Sequence, residues 1–174
     1  GDRVVFSPAY SAADKRWPST LPIPKIIATE AELPRGNAVP EFPMAWDRKV
    51  GLVAGYILGN GGVYYHEKYP ALSLSGHIDD KEDLSEVSSW INKWCGSFQS
   101  VEVQAQTSSA LQDHGKTVHI SWRRAALGRF LDAIGVDKRG DYEDRRIPKA
   151  LFGAPEDAVA GLICWYDFSD ATTL

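Results

Sequence analysis

The sequence predicts an α+β domain with a four-stranded antiparallel sheet and helices on one face of that sheet. Four runs of alternating apolar and polar residues occur along the chain, and this period is typical of strands with one buried face. The runs come in two pairs, and each pair is followed by a segment with apolar residues at helical spacing. A glycine-rich helical segment precedes the first pair. The predicted order is α-β-β-α-β-β-α-α.

The bulk composition is that of a globular protein. The chain has 174 residues, 44% of them apolar, with six Trp and seven Tyr. These values suit one domain, or one domain plus an arm, with a substantial core. No apolar run approaches the roughly 20 residues of a membrane span, so no membrane partner is expected. The start, Gly1-Asp2-Arg3, lacks both a signal-peptide pattern and an initiator Met, which leads us to expect a processed, excised or engineered chain.

Cysteine usage and charge further limit the kinds of protein that this chain can be. Cys95 and Cys164 lie far apart and lack the His spacing of a zinc site, so we expect reduced thiols and a cytoplasmic protein. The net charge of −4 differs from the basic surface typical of nucleic-acid-binding proteins. Basic residues nevertheless gather late in the chain, so a local basic face is not excluded.

The first 46 residues are predicted to form an extended, Pro-rich arm. Proline has no amide donor and biases the preceding residue away from helix. We expect this arm, residues 1–46, to be a solvated tether, and we place the domain over residues 47–174. The arm holds seven of the ten prolines: Pro8, Pro18, Pro22, Pro24, Pro34, Pro40 and Pro43.

The central element of the predicted fold is a helix over about residues 48–59. Asp47 is a suitable N-cap, and the helix carries a row of three glycines, Gly51, Gly55 and Gly59, four residues apart. Each glycine costs roughly 1 kcal/mol relative to alanine in a helix interior. The row therefore predicts a second helix packed at very short distance. The alternative is a buried apolar helix that ends at Asn60-Gly61.

The other elements follow from their patterns and caps. Strands are predicted at Val63–His66, Ala71–His77, Ser100–Thr107 and Lys116–Trp122, with a polar loop at Ser108–Gly115. Helices are predicted at Lys81–Trp94, capped by Asp80 and ended by Gly96, and at Arg123–Ile134, closed by Gly135. A short helical turn at Lys149–Phe152 precedes a last helix that begins near Ala154-Pro155 and runs toward Asp170.

One face of the predicted sheet is polar. Most such faces are merely solvated, but the DNA major groove also admits a twisted antiparallel ribbon. Arg123 and Arg124 follow the last strand and add positive charge. The candidate DNA contacts are Tyr64, His66, Ser73, Ser75, Gln104, Gln106, Lys116, His119, Ser121, Arg123 and Arg124.

Two motifs resemble those of the LAGLIDADG homing endonucleases, especially the kind carried inside inteins. The first is Val53-Ala54-Gly55-Tyr56-Ile57-Leu58-Gly59-Asn60-Gly61, which looks like a motif that ends in Gly-Asp-Gly. The second is Leu162-Ile163-Cys164-Trp165-Tyr166-Asp167-Phe168-Ser169-Asp170-Ala171, approached through Arg145–Pro155. Gly1-Asp2-Arg3-Val4 is similar to the segment where an intein's splicing domain meets its endonuclease, so the arm is expected to include the edge of such a domain. The resemblance covers about residues 47–171.

The resemblance implies an αββαββα repeat that binds double-stranded DNA and hydrolyses it site-specifically. The two motif helices pack side by side, and their last acids lie together under the scissile phosphates. Divalent cations, Mg²⁺ by preference, neutralise such a pair and activate water. Carried over by position, the catalytic residues are Asn60 and Asp170, and Gly59 and Ser169 join them at the metal site.

Three departures from the family pattern weaken the implied activity. Asn60 replaces the first acid and supplies no negative charge, as in a degenerate endonuclease or a deliberate replacement. The second motif ends Phe168-Ser169-Asp170-Ala171 instead of acid-x-acid-Gly, and a one-step slip would nominate Asp167. The second repeat's sheet is missing, so the chain is expected to supply half of a DNA saddle.

Three hypotheses follow from these observations. The first is an intein-type endonuclease domain that binds DNA and is inactive or weakened by Asn60. The alternative is a non-catalytic DNA-binding module, or half of a split intein or endonuclease completed by a second chain or a second copy. The third is an α+β domain that binds neither DNA nor such a partner.

Overall fold

The computed structural model describes residues 20–29, 32, 38–66, 69–104, 117–136 and 146–170 of the chain. Within these ranges, only the backbone is described for residues 62–66, 69–71, 104 and 166–170. The elements in chain order are α1 (Arg48–Asn60), β1 (Gly61–His66), β2 (Tyr69–His77), α2 (Lys81–Cys95), β3 (Glu102–Gln104), β4 (Thr117–Arg123), α3 (Ala125–Ile134) and α4 (Glu156–Asp170). Single 3₁₀ turns lie at Ile78–Asp80 and Lys149–Gly153.

The sheet is antiparallel, with the strand order β1-β2-β4-β3. Its three longer strands have six, nine and seven residues, and β3 adds a three-residue segment at the edge. The α+β class is therefore confirmed, whereas the fourth strand is smaller than the sequence predicts. Of the predicted strand Ser100–Thr107, the structure has strand only at Glu102–Gln104, and residues 105–116 lie outside the described part.

The helices cover one face of the sheet, as predicted. Burial alternates along β4, where Val118, Ile120 and Trp122 are buried and the residues between them are partly exposed. Leu72 and Leu74 of β2 lie on the same buried face. The indole of Trp122 donates a hydrogen bond to Asn92 Oδ1 at 2.8 Å, which ties β4 to α2. Within the described ranges, no helix has the length and apolarity to cross a membrane.

Two helix ends follow their sequence signals. α2 ends at Gly96 with φ of 59°, and α3 ends at Gly135 with φ of 76°. Both values lie in the left-handed region that glycine adopts without strain. The start of α3 differs from the prediction, because Arg123 is still part of β4 and the helix begins at Ala125. The sheet pairing of Arg123 with Ala71 accounts for this shift.

The arm is predicted to be an extended, solvated tether, but its described part, residues 20–29, 32 and 38–46, packs against the helices. Ile23, Phe42 and Trp46 are buried in the same core as the helices. The phenyl ring of Phe42 stacks on that of Phe130 in α3 at 5.1 Å between centroids. The backbone N–H of Glu41 also donates a hydrogen bond to the carbonyl of Trp94 in α2 at 2.8 Å. This segment therefore belongs to the folded domain.

An ion pair fastens the arm to α3. Glu32 accepts two hydrogen bonds from the Arg129 guanidinium, at 2.7 and 2.8 Å, and Arg129 also donates to the Ile27 carbonyl at 2.9 Å. The hydrogen bond from Arg129 is the main reason why the pKa of Glu32 is lowered from 4.5 to about 2. Because the folded-state pKa is depressed, the stabilisation is present above about pH 4.5 and is lost as the pH falls toward 2.

We expect Arg129→Met to lower the free energy of unfolding by roughly 1 kcal/mol at neutral pH, the upper end for a partly exposed pair. The difference in the free energy of unfolding between this variant and the parent chain should become smaller between about pH 4.5 and about pH 2, because Glu32 becomes protonated there. Urea denaturation across this pH range measures it. Lys25→Met in the same arm is the control, because Lys25 is exposed. A difference that stays constant with pH would contradict the role of the Glu32 charge.

Candidate functional site

α1 and α4 pack against each other through glycine. A Cβ atom built on Gly51 would lie 2.9 Å from the carbonyl carbon of Ala158, and one on Gly55 would lie 3.1 Å from that of Leu162. A Cβ on Gly161 of α4 would lie 2.5 Å from the carbonyl oxygen of Arg48 in α1. These separations are shorter than ordinary van der Waals contact. The predicted close approach of a second helix to Gly51 and Gly55 is therefore confirmed.

The two helices contact each other at equivalent positions. Gly51 of α1 contacts Ala158 of α4, and Gly161 of α4 contacts Arg48 of α1. The two contacts are therefore related by one shift along the chain, because 161 − 51 and 158 − 48 both equal 110. The same shift maps Asn60 onto Asp170, the last residue of each helix. Asp167 would instead correspond to Ile57, which is fully buried. The register therefore favours Asp170 over Asp167 as the counterpart of Asn60.

The same shift maps Gly59 onto Ser169. The side chains of Ser169 and Asp170 lie outside the described part of the chain, so the predicted metal site is described only on its α1 side. There Asn60 is half-buried at the end of α1. Among the described side chains, no three His, Cys, Asp or Glu residues lie close enough together to hold a metal ion.

Asn60 lies close to a buried tyrosine. Tyr56, one turn earlier in α1, is 1% exposed and packs edge-on against Trp165 of α4, with 5.2 Å between ring centroids. Burial raises the pKa of Tyr56 to about 12, and the Asn60 side chain lowers it in part. No described group meets hydrogen-bond geometry with the Tyr56 hydroxyl.

Several predicted DNA contacts share the polar face of the sheet. Ser75 lies opposite His119, and Ser73 lies opposite Ser121, so these four residues occupy the centre of one face. The Ser73 Oγ and His119 Nε2 atoms are 2.6 Å apart, a hydrogen bond across the two strands. Arg123 is exposed at the end of β4. The face therefore offers hydroxyls, imidazole and guanidinium side by side.

Other predicted contacts take different positions. The register places Tyr64 opposite Ala71, His66 opposite Tyr69 and Gln104 opposite Thr117, with only their backbones described. Gln106 and Lys116 lie outside the described residues. Arg124 follows the last residue of β4 and, together with Arg123, lines a cavity beside the arm.

That cavity has a volume of about 200 Å³ and is closed on one side by the arm. Cys95 lines it, and burial raises the pKa of this thiol to about 12 despite the positive charge of Arg124. A thiol with this pKa stays protonated at neutral pH and is a poor nucleophile. Cys164 is exposed on α4. The expectation of two reduced thiols agrees with their separate positions. The residues that line the cavity are Glu32, Pro40, Phe42, Cys95, Arg123, Arg124, Ala125 and Ala126.

Sequence reasoning missed two residues at these surfaces. Glu102 lies opposite His119 at the β3–β4 edge of the polar face, where the alternation of Ser100–Thr107 already placed it outward. It adds a negative charge to the candidate DNA surface. Tyr56 was assigned only to the first motif, and no sequence signal indicated that its hydroxyl lacks a hydrogen-bond partner among the described groups.

The chain matches no protein-family model, and no curated protein matches its sequence.

Proposed function

We propose that this chain is a LAGLIDADG-type domain that binds double-stranded DNA through its sheet, with a cleavage centre weakened by Asn60. The observation that carries the proposal is the contact of Gly51 and Gly55 with the backbone of α4. A close parallel pair of helices is what the two sequence motifs imply. The packing of the helices agrees with the resemblance of the motifs.

The helix register supports the assignment of the site. The constant shift between α1 and α4 brings Asn60 and Asp170 into equivalent positions at the ends of the pair. The ends of two parallel helices on one axis provide a place for two ligating groups near one scissile position. This is the arrangement that the family's two acids would require.

The polar face of the sheet supports DNA as the ligand. Its hydroxyl, imidazole and guanidinium groups are hydrogen-bonding partners of base edges and phosphates. Arg123 is the exposed cation of this face in the described part of β4. Glu102 opposes it electrostatically at the far edge. We therefore expect the affinity for DNA to depend on few phosphate contacts and to depend more strongly on base contacts and on the shape of the duplex.

The described residues do not by themselves fit a Mg²⁺ ion. Mg²⁺ prefers carboxylate and phosphate oxygens, while Asn60 offers a neutral amide and no described cluster supplies three ligands. A bound divalent ion would neutralise phosphate charge and activate water. With Asn60 in place, no cleavage step is proposed for this chain. DNA binding is the activity that its own side chains support.

The test combines cleavage and binding. We expect the parent chain with Mg²⁺ to leave supercoiled plasmid carrying a randomised insert intact, and Asn60→Asp to raise nicking by about 10²-fold, the usual effect of one electrostatic group in a reaction centre. Adding Asp170→Asn to that variant should return nicking to background. Gel shifts of a random duplex should weaken at least about tenfold between about 50 and about 200 mM KCl.

The outcomes separate the hypotheses. If no variant nicks but the duplex is shifted in a salt-dependent way, the chain is a non-catalytic DNA-binding module. If no shift occurs at low salt, DNA binding is ruled out and only the α+β fold stands.

A partner-completed half is the second candidate function. The observation that favours it is the outer face of α4, where Ile163 is 42% exposed and Cys164 is exposed. Their equivalents in α1, Val53 and Ala54, are fully buried beneath the sheet. A second sheet, from another chain or another copy, would bury the α4 residues in the same way. Native mass measurement with and without the duplex distinguishes a monomer from such an assembly.

A further inference from the structure

His119 lies at the centre of the polar face of the sheet. It belongs to β4 and is paired with Ser75 of β2 on one side and with Glu102 of β3 on the other. Its side chain is partly exposed, whereas its neighbours Val118 and Ile120 are buried against the helices. The imidazole is therefore on the side of the sheet where a ligand of the polar face would meet it.

A hydrogen bond fixes the position of this imidazole. His119 Nε2 and Ser73 Oγ are 2.6 Å apart, on a diagonal between β4 and β2. A neutral imidazole has one donor nitrogen and one acceptor nitrogen, whereas a protonated imidazole donates from both. Because a hydroxyl can either donate or accept, the bond to Ser73 is compatible with both states of the ring. Protonation therefore leaves the ring in place and makes Nδ1 a charged donor.

The fixed charges beside His119 cancel in the described part of the face. Arg123 lies four residues further along β4 and is exposed, and Glu102 lies opposite His119 and is also exposed. One of these side chains is positive and the other is negative. The charge of His119 therefore decides whether this part of the face is neutral or positive. The other described side chains around His119 on this face are uncharged: Ser73, Ser75, Thr117 and Ser121.

His77 is the other histidine whose side chain is described on this face. It pairs with Thr117 at the end of β2. Its Nδ1 lies 3.0 Å from the Asp79 carboxylate, and Asp80 accepts its backbone N–H at 2.9 Å. A positive charge on His77 would be offset by these two carboxylates, so we expect it to contribute less to the attraction of DNA than a charge on His119.

We propose that protonation of His119 switches the sheet to a state with higher affinity for DNA. The inference rests on the proposed function, because it concerns the regulation of the same polar face. Imidazole is the side chain that ordinarily changes its charge between about pH 8 and about pH 5. The protonated ring adds a charge-assisted donor at the centre of a face whose other described charges cancel. Backbone phosphate is the group of DNA that accepts from such a donor.

The affinity for a rhodamine-labelled random duplex at two pH values tests the proposal. We expect the parent chain to bind about tenfold more tightly at about pH 5.5 than at about pH 8, the effect of one charge-assisted hydrogen bond. The slope of log affinity against log salt should also become steeper by about 0.9, the value for one further phosphate contact. His119→Gln should remove both changes. His119→Lys should bind as tightly at about pH 8 as the parent chain does at about pH 5.5, because lysine is charged at both values.

Replacing each histidine in turn checks the assignment, since the chain has four of them. His66→Gln, His77→Gln and His114→Gln should each preserve the ratio of the affinities at the two pH values, whatever they do to the affinity itself. His77→Gln is the matched control, because His77 is exposed on the same face but lies beside acids. Circular dichroism at both pH values shows whether each variant keeps its fold.

The outcomes separate the switch from the proposed DNA binding. Loss of the pH dependence in His119→Gln alone, with tight binding by His119→Lys, supports the switch. A pH dependence that survives in His119→Gln, or that is lost in another of the four variants instead, overturns the switch and leaves DNA binding in place. The same holds if the parent chain binds equally well at both pH values. No binding at either pH removes both the switch and the proposed DNA binding.

Discussion

Gly55→Ala should lower the free energy of unfolding by about 3 kcal/mol, as expected for severe overpacking of a core. The added methyl group would lie 3.1 Å from both the Cα and the carbonyl carbon of Leu162. These are backbone atoms of α4, so neither helix can yield by changing a rotamer. The gain of about 1 kcal/mol in helix propensity offsets only part of the cost. Urea denaturation followed by circular dichroism measures the change.

Gly153→Ala is the matched control for this prediction. No atom lies within 4 Å of a Cβ built on Gly153, so its replacement should change stability by less than about 0.5 kcal/mol. If Gly55→Ala is as harmless as Gly153→Ala, α1 and α4 do not pack through bare backbone. The support for paired motif helices would then be lost.

Phe42→Ala should lower the free energy of unfolding by about 4 kcal/mol, the usual cost of deleting a buried aromatic ring. Phe42 belongs to the arm, is buried, and stacks on Phe130 of α3. Deletion leaves a cavity between the arm and the helices. Denaturation of the full chain gives the stability, and limited proteolysis shows whether the arm is released.

Val39→Ala is the control within the same segment. Val39 is 72% exposed, so its truncation should cost less than about 0.5 kcal/mol. Equal, small effects of the two substitutions would mean that residues 38–46 are a tether, as the sequence alone suggested. A large difference between them would establish the arm as part of the core.

Signals within a few residues of sequence correctly predicted the helix ends and the cap of α1, because these features depend on local backbone conformation and hydrogen bonding. Gly96 and Gly135 end their helices because the left-handed conformation is available to glycine at little cost. Asp47 caps α1 by accepting the Val50 backbone N–H at 2.8 Å. The glycine row of α1 was also informative, because three costly residues on one face need a compensating contact.

The features that the sequence did not predict depend on contacts between distant segments. The prolines of the arm predicted an extended segment, but the burial of Ile23 and Phe42 is decided by α2 and α3. Arg124 was grouped with Arg123 by charge, but the cavity that both of them line exists only because the arm packs beside them. The unpartnered hydroxyl of Tyr56 likewise emerges only when β2 and α4 close around it.

The pairing of α1 with α4 also constrains the order in which the molecule assembles. Gly51 meets Ala158 more than a hundred positions later in the chain, and contacts of such long sequence separation close slowly, since their loop entropy is lost before they form. A ribosome releases α1 and the sheet well before α4. Until α4 is synthesised, the bare backbone of α1 is exposed and can contact other chains. We therefore expect the yield of native protein to depend on how fast the last helix is synthesised and on whether a chaperone binds the chain before then.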